Sequence, residues 1–218
     1  LILLSPSRQA YAELSRVITN ARRRCNKGSY QFTYWDLHSI KHCFVLWLPS
    51  GEWAKDQQDI TQLLHYHRTR LSLAYTRFLH SNERAFKQHC YDLAKQFQLT
   101  IVACGGVLMH VKQRQKLQDV LAAIRHGKQL NDMGVLLEQN AEKSLRPVNK
   151  LLKLYPEDTI IAGIALANQC QFCLSSLQYE YPAELVPKGL TAINHLKVLV
   201  KKGIALRFKE GVPDDIQA

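Results

Sequence analysis

Along the chain the apolar positions alternate between short continuous runs and a helical period. Leu1–Ser5 opens as an apolar run read as a buried strand. Ala10, Leu14, Val17, Ile18 and Ala21 then recur at helical spacing, which predicts an amphipathic helix from Ser7 to about Arg24, closed by the turn residues Asn26-Lys27-Gly28. His42–Leu48, HCFVLWL, is a buried strand stopped by Pro49-Ser50-Gly51. Ile60, Leu63 and Leu64 place a helix over Trp53 to His67, and Leu71–Phe78 reads as the next strand. Ser81-Asn82 caps a helix whose stripe is Phe86, Cys90, Leu93, Ala94 and Phe97. Leu99–Cys104 is a further strand, and Arg114–Arg125 a helix with Leu117, Val120, Leu121 and Ile124 turned inward. This alternation predicts an α/β fold of βαβ units around a mainly parallel sheet or barrel.

The pattern changes after Gly127. Leu145–Tyr155 and Glu157–Cys170 are two helices split by Pro156. A polar, proline-bearing stretch follows, and a boundary is expected across Tyr179–Gly189. Leu190–Phe208 is a basic helix with Leu196, Leu199, Val200 and Ile204 as its apolar face, and Val212-Pro213-Asp214-Asp215 has the pattern of another helix start.

With 218 residues and 46% hydrophobic content the chain can build a sizeable core. It contains no run of about 18 apolar residues, so no membrane partner is expected. Four apolar residues at the start are too few for a signal-peptide core of roughly 7–15, and the opening reads as a piece of something longer. The 29 Lys and Arg against 18 Asp and Glu leave a net charge of +11. That excess favours a polyanion, nucleic acid above all, over mere solubility charge. Six scattered cysteines suit a reducing compartment, hence the cytoplasm.

Gly105-Gly106 follows a strand, where α/β proteins place phosphate loops and metal ligands. Neither GxxxxGK[ST] nor GxGxxG is present, so the pair reads as a tight strand exit. His65 and His67 have the spacing of a metal clip, but on a helix they diverge by about 200°, which leaves two solvent-facing histidines. Cys170 and Cys173 form a CxxC without a second pair, so a structural pair of thiols is expected instead of zinc. Arg22, Arg23 and Arg24, with Lys112 and Arg114, are candidate contacts to DNA phosphates. They equally suit helix-dipole and solvation roles. No nucleophile–base arrangement and no paired-aspartate metal motif stands out.

Several stretches together resemble a known family: LSRVITNARRRCNKGSYQFTYWDL, CGGVLMHVKQRQKLQDVLAAIRHGKQL, EQNAEKSLRP and LQYEYPAELVPKGLTAINHLKVLVKKG. They are similar to the N-terminal part of C-family DNA polymerases of the bacterial error-prone type. The resemblance implies a partial, distorted (β/α) barrel of the PHP (polymerase and histidinol phosphatase) type over residues 1–178. Residues 179–218 would be a linker and the first, truncated helices of the polymerase core. It implies an enzyme, a DNA-directed DNA polymerase active in replication, repair and damage-associated synthesis. Its partners would be DNA and the remaining polymerase domains. Its Mg²⁺-binding carboxylates would lie downstream, so this chain alone is expected not to polymerise and to carry no cofactor.

The family's usual Gly-Asp-Val-His-Met-His stands here as Gly105-Gly106-Val107-Leu108-Met109-His110. Gly106 and Leu108 replace two metal ligands, and in Ala74-Tyr75-Thr76-Arg77-Phe78 the residue Thr76 stands where an acid is usual. None of the three replacements is a good metal donor. The PHP site is therefore expected to be degenerate and structural, with no catalytic residue in the chain. Two rivals predict different things. A PHP-type metal-dependent phosphoesterase needs clustered His and Asp with bound metal. A non-catalytic nucleic-acid-binding module needs salt-sensitive DNA affinity.

Overall fold

The computed structural model describes residues 1–178 and 185–213. Residues 179–184, inside the expected boundary, and Asp214-Asp215 of the last expected helix start lie outside the described residues. The chain divides into two compact units, Leu1–Cys173 and Leu174–Ala218.

The first unit is a mixed α/β structure around a four-stranded sheet ordered β1 (Ile2–Leu4), β2 (Phe44–Trp47), β3 (Leu71–Thr76) and β4 (Thr100–Cys104). β2, β3 and β4 run parallel, with Trp47 opposite Leu73 and Thr76 opposite Cys104. β1 instead runs antiparallel to β2, Ile2 opposite Leu46, and forms one edge. Its residues are only partly covered, unlike the buried strand expected from four apolar residues in a row, because an edge strand has a neighbour on one side only. Among the described residues the sheet stays open.

Helices α1 (Arg8–Arg23), α3 (Trp53–His67) and α4 (Glu83–Phe97) supply the core of one sheet face. Ser7 caps α1, its hydroxyl accepting from the Ala10 N–H at 3.2 Å. Ala10, Val17, Ile60, Leu63, Cys90 and Leu93 from these helices bury Val45, Trp47, Leu73 and Tyr75 from the strands. The alternate strand residues Leu46, Ala74 and Val102 point to the other face, where α7 (Glu157–Gln169) packs Ala162 and Leu166 against them. Burial on both faces explains why β2 reads as an unbroken apolar run and β3 as one interrupted only by Ser72 before Thr76 ends it. Gly163 of α7 faces β4, where a methyl group would meet the Val102 side chain at an ordinary contact distance of 3.6 Å.

Two smaller helices complete this unit's framework. A four-residue α2 (Tyr34–Leu37), too short to show a period, follows the first turn, and α6 (Val148–Leu154) precedes Pro156. Between β4 and α6 lies α5 (Gln115–His126), which exists as expected but with the opposite exposure. Leu117, Val120, Leu121 and Ile124 are 43–71% exposed, and only Ala123 of this helix is buried. The period identified a stripe, and the structure leaves those four residues exposed. In the second unit α8 (Ala192–Arg207) is capped by Thr191, which accepts from the Asn194 N–H at 3.3 Å, and Leu196, Leu199 and Val200 of its apolar face are likewise exposed.

Candidate functional site

Parallel strands place their carboxyl ends on one side, the usual location for ligands in α/β sheets. Here β3 leaves through Arg77-Phe78 and β4 through Gly105-Gly106. Gly106 adopts a left-handed backbone, φ +53°, and a Cβ at that position would lie 2.7 Å from Cζ of Phe78. The Phe78 ring thus fills the space a side chain at 106 would need. Above the ring sits the Lys143 ammonium, 5.0 Å from its centre and paired with Glu138 at 2.7 Å. The Asn140 side-chain amide donates to the Phe78 carbonyl at 2.8 Å, and the Leu108 N–H donates to the Lys143 carbonyl at 2.8 Å while its side chain faces outward.

Tyr155 bolts the two strand ends together. Its hydroxyl donates to the Cys104 carbonyl at 2.8 Å and accepts from the Arg77 N–H at 3.1 Å. Burial pushes this phenol's pKa up. The Arg77 guanidinium donates to Glu83 at 2.7 Å and to the Leu154 carbonyl. Burial alone would raise the Glu83 carboxyl, but the Arg77 bond and the Leu79 N–H outweigh it and hold the pKa below its usual range. Leu79 itself takes a left-handed backbone, φ 55°, which that carboxylate steadies.

Arg146 lies in the same network with its side chain only 3% exposed. Its Nη2 donates to the Arg77 carbonyl at 2.7 Å and to the Glu142 carbonyl at 2.8 Å. Glu142 also gathers Lys112 and, at 3.5 Å, Lys150, and it is chiefly the Lys112 bond that keeps its carboxyl below the ordinary range.

The donor set at these strand ends does not fit a divalent metal ion. Thr76 offers a neutral hydroxyl, Gly106 no side chain and Leu108 no lone pair, while Arg77, Lys143 and Arg146 bring positive charge. The Cys104 thiol is pushed up by burial and stays protonated. Among the described residues no three His, Cys, Asp or Glu side chains come together to hold a metal.

A second polar cluster sits at the end of β2. Asp56 is fully buried and accepts from the Ser50 N–H and hydroxyl, the Gly51 N–H and His89 Nε2 at 2.7–3.1 Å. Burial would raise its pKa, but those donors together keep it low. In a nucleophilic triad the histidine lies between serine and acid. Here the aspartate lies between the other two, so the arrangement ties the β2–α3 turn to α4 and passes no proton from Ser50.

The other sequence candidates are dispersed. His65 is exposed, but His67 is 3% exposed against the core, so the expectation of two solvent-facing histidines holds for one only. An i, i+2 pair on a helix turns one residue in when the other turns out. Burial lowers the His67 pKa. Arg24 commits its guanidinium to Asp36, at 2.7 and 2.6 Å, and Arg22 lies over the Tyr30 ring at 5.6 Å. Arg23 and Arg114 are exposed, and Lys112 holds Glu142.

No family model matches the chain. Many curated relatives match nearly all of it. A protein named error-prone DNA polymerase from Vibrio vulnificus strain YJ016 is 50% identical over 216 residues, 99% of this chain. Its namesakes from Saccharophagus degradans and Methylococcus capsulatus are 39% and 37% identical over 218 and 219 residues. The chain is a homologue of one segment of the error-prone DNA polymerases. It spans about a fifth of their length, 21% in each case.

Within this homologue, sequence reasoning located the strand exits at Thr76 and Gly106, and the structure brings the two exits side by side. It missed Asn140, Glu142, Lys143, Arg146 and Tyr155, which fill and brace the space between them. Four of the five lie in EQNAEKSLRP, a stretch whose resemblance was visible but whose irregular backbone carries no period to show which way its side chains turn.

Proposed function

We propose that this chain is part of an error-prone DNA-directed DNA polymerase, a C-family nucleotidyltransferase acting in replication, DNA repair and damage-associated translesion synthesis in the cytoplasm. The 50% identity over 99% of the chain to a protein of that name supports the polymerase reading. In this reading residues 1–178 are the later part of a PHP-type domain with its helical exit, and residues 179–218 lead into the polymerase core. DNA and the remaining polymerase domains are the partners. Mg²⁺ chemistry belongs to carboxylates outside this chain.

The PHP-type region is then a metal-free platform. The observation that supports this best is Gly106, held left-handed with the Phe78 ring where a ligand side chain would start. Tyr155, Arg77 and Arg146 do mechanical work here: they tie β3, β4 and the 138–146 loop into one rigid end.

The test is primer extension by the complete protein that contains this chain, with Mg²⁺ and an intact template, beside hydrolysis of a phosphomonoester with Mn²⁺. Extension with no phosphoester hydrolysis is expected. Failure to extend, or metal-dependent hydrolysis lost on chelation, contradicts the reading in its polymerase and platform parts respectively.

A further inference from the structure

We propose that the face built by residues 30–38 and the end of α3 is a track for single-stranded DNA, whose bases stack on exposed aromatic rings. The choice of DNA as the polyanion rests on the polymerase reading above.

Three clefts lie in a row on this face, each sharing residues with the next. The first, of about 490 Å³, is lined by Tyr30, Phe32 and Arg22 among others. The second, of about 370 Å³, shares Phe32 and adds Tyr34 and Lys55. The third, of about 500 Å³, shares Tyr34 and adds Trp35, His38, His65 and Tyr66. Every cleft thus sets an aromatic ring beside a cation or an imidazole. Tyr30, Phe32, Tyr34, Trp35 and Tyr66 are 41–72% exposed. Large exposed rings gathered along one surface mark an interaction site.

The rings are held ready for stacking. Trp35 lies on His38 with centroids 4.4 Å apart, and His38 on Tyr66 at 3.7 Å. Trp35, at one end of this stack, is the most exposed of the five. Beneath them Leu37 is buried, and Asp36 accepts the Arg24 fork and the Thr33 N–H, which fixes the segment's shape. A preformed platform lowers the ordering cost of binding.

Charge narrows the partner. Arg22 lies over the Tyr30 ring at 5.6 Å, and Arg23 and Lys27 are exposed at and just beyond the same helix end. Asp59, the acid lining the second cleft, accepts the Tyr34 hydroxyl at 2.5 Å. Arg22 and Lys55 against Asp59 leave the lining positive. Ring faces stack on any base while cations follow the phosphates, the combination that holds single strands without sequence preference. In a duplex the base faces are covered by their neighbours and offer these rings nothing.

The test is fluorescence anisotropy of an end-labelled oligothymidylate of about 12 nucleotides, titrated with the 218-residue chain at low salt. Single strand should bind severalfold tighter than duplex of the same length, and added salt should weaken both. Trp35→Ala and Tyr66→Ala should each weaken single-strand binding roughly fivefold or more. Binding should quench tryptophan fluorescence, and Trp35→Phe should remove most of that quenching. Arg125→Gln, which removes an exposed cation outside the track, should leave the affinity nearly unchanged. Thermal melts check that each variant folds, and should Tyr66→Ala not fold, Trp35→Ala decides.

Equal affinity for duplex and single strand, or Arg125→Gln weakening binding as much as Trp35→Ala, reduces the effect to net charge and overturns the proposal. No binding at low salt overturns it too. A dimer that Trp35→Ala dissociates, with no DNA bound, assigns the face to a second copy and overturns it as well. Primer extension by the complete protein without oligonucleotide binding here overturns this inference alone. Binding here without primer extension overturns the polymerase reading and leaves the track standing.

Discussion

Gly106 differs from a ligand-bearing residue in space as well as in chemistry. Restoring a carboxylate by Gly106→Asp forces a Cβ to 2.7 Å from the Phe78 ring in a left-handed backbone. Overpacking of this kind costs roughly 1–3 kcal/mol, while aspartate tolerates the backbone better than most residues. Urea denaturation should show that loss, and Phe78→Ala added to Gly106→Asp should recover part of it. Full stability of the single variant would contradict the packing described. Asp36 carries a second residue-scale prediction. The Arg24 fork and the Thr33 donors hold its pKa at about 2, against an ordinary value of 3.8. Its stabilising contribution is therefore complete above about pH 4 and is lost as pH falls toward 2. With Arg24 37% exposed, solvent screens the pair and keeps that contribution small. Acid unfolding of Arg24→Gln should be less steep in that window than that of the parent chain.

At the scale of elements, a period reports that a stripe exists and leaves open what covers it. Leu93 and Ile124 both belong to such stripes, yet Leu93 is fully buried and Ile124 is 71% exposed. Leu93→Ala should cost about 2–5 kcal/mol, whereas Ile124→Ala should stay within about 0.5 kcal/mol in this chain. Equal losses in denaturant midpoints would show that α5 packs against something in solution. Gly163 gives the converse case. A methyl group there meets Val102 at an ordinary 3.6 Å, so Gly163→Ala should stabilise α7 by roughly 0.5–1 kcal/mol through helix propensity, while Gly163→Leu should push α7 off β4 and destabilise. The α3 bounds, Trp53–His67, and the places of the four strands were legible because their apolar residues follow simple periods. The direction of β1 was not, since three residues fix no partner and its antiparallel pairing depends on Phe44–Leu46 far along the chain.

At the scale of the whole molecule, the candidate site divides along the same line. Thr76, Gly106 and Leu108 were found because each sits where a resembled motif has a ligand. Asn140, Lys143, Arg146 and Tyr155 were not, because they act across 62 to 78 residues of sequence separation or from an aperiodic loop. The net charge of +11 pointed to a polyanion, but not to where it would bind. The structure shows part of that charge spent internally, on Asp36, Glu83 and Glu142. What unifies the account is the claim that positive side chains and an aromatic ring occupy strand ends where a metal centre would be built. Metal analysis by mass spectrometry of the chain, purified without chelator, tests this most directly. The account predicts zinc, manganese and iron far below one equivalent per chain. One or more equivalents, lost together with stability on dialysis against chelator, would contradict it.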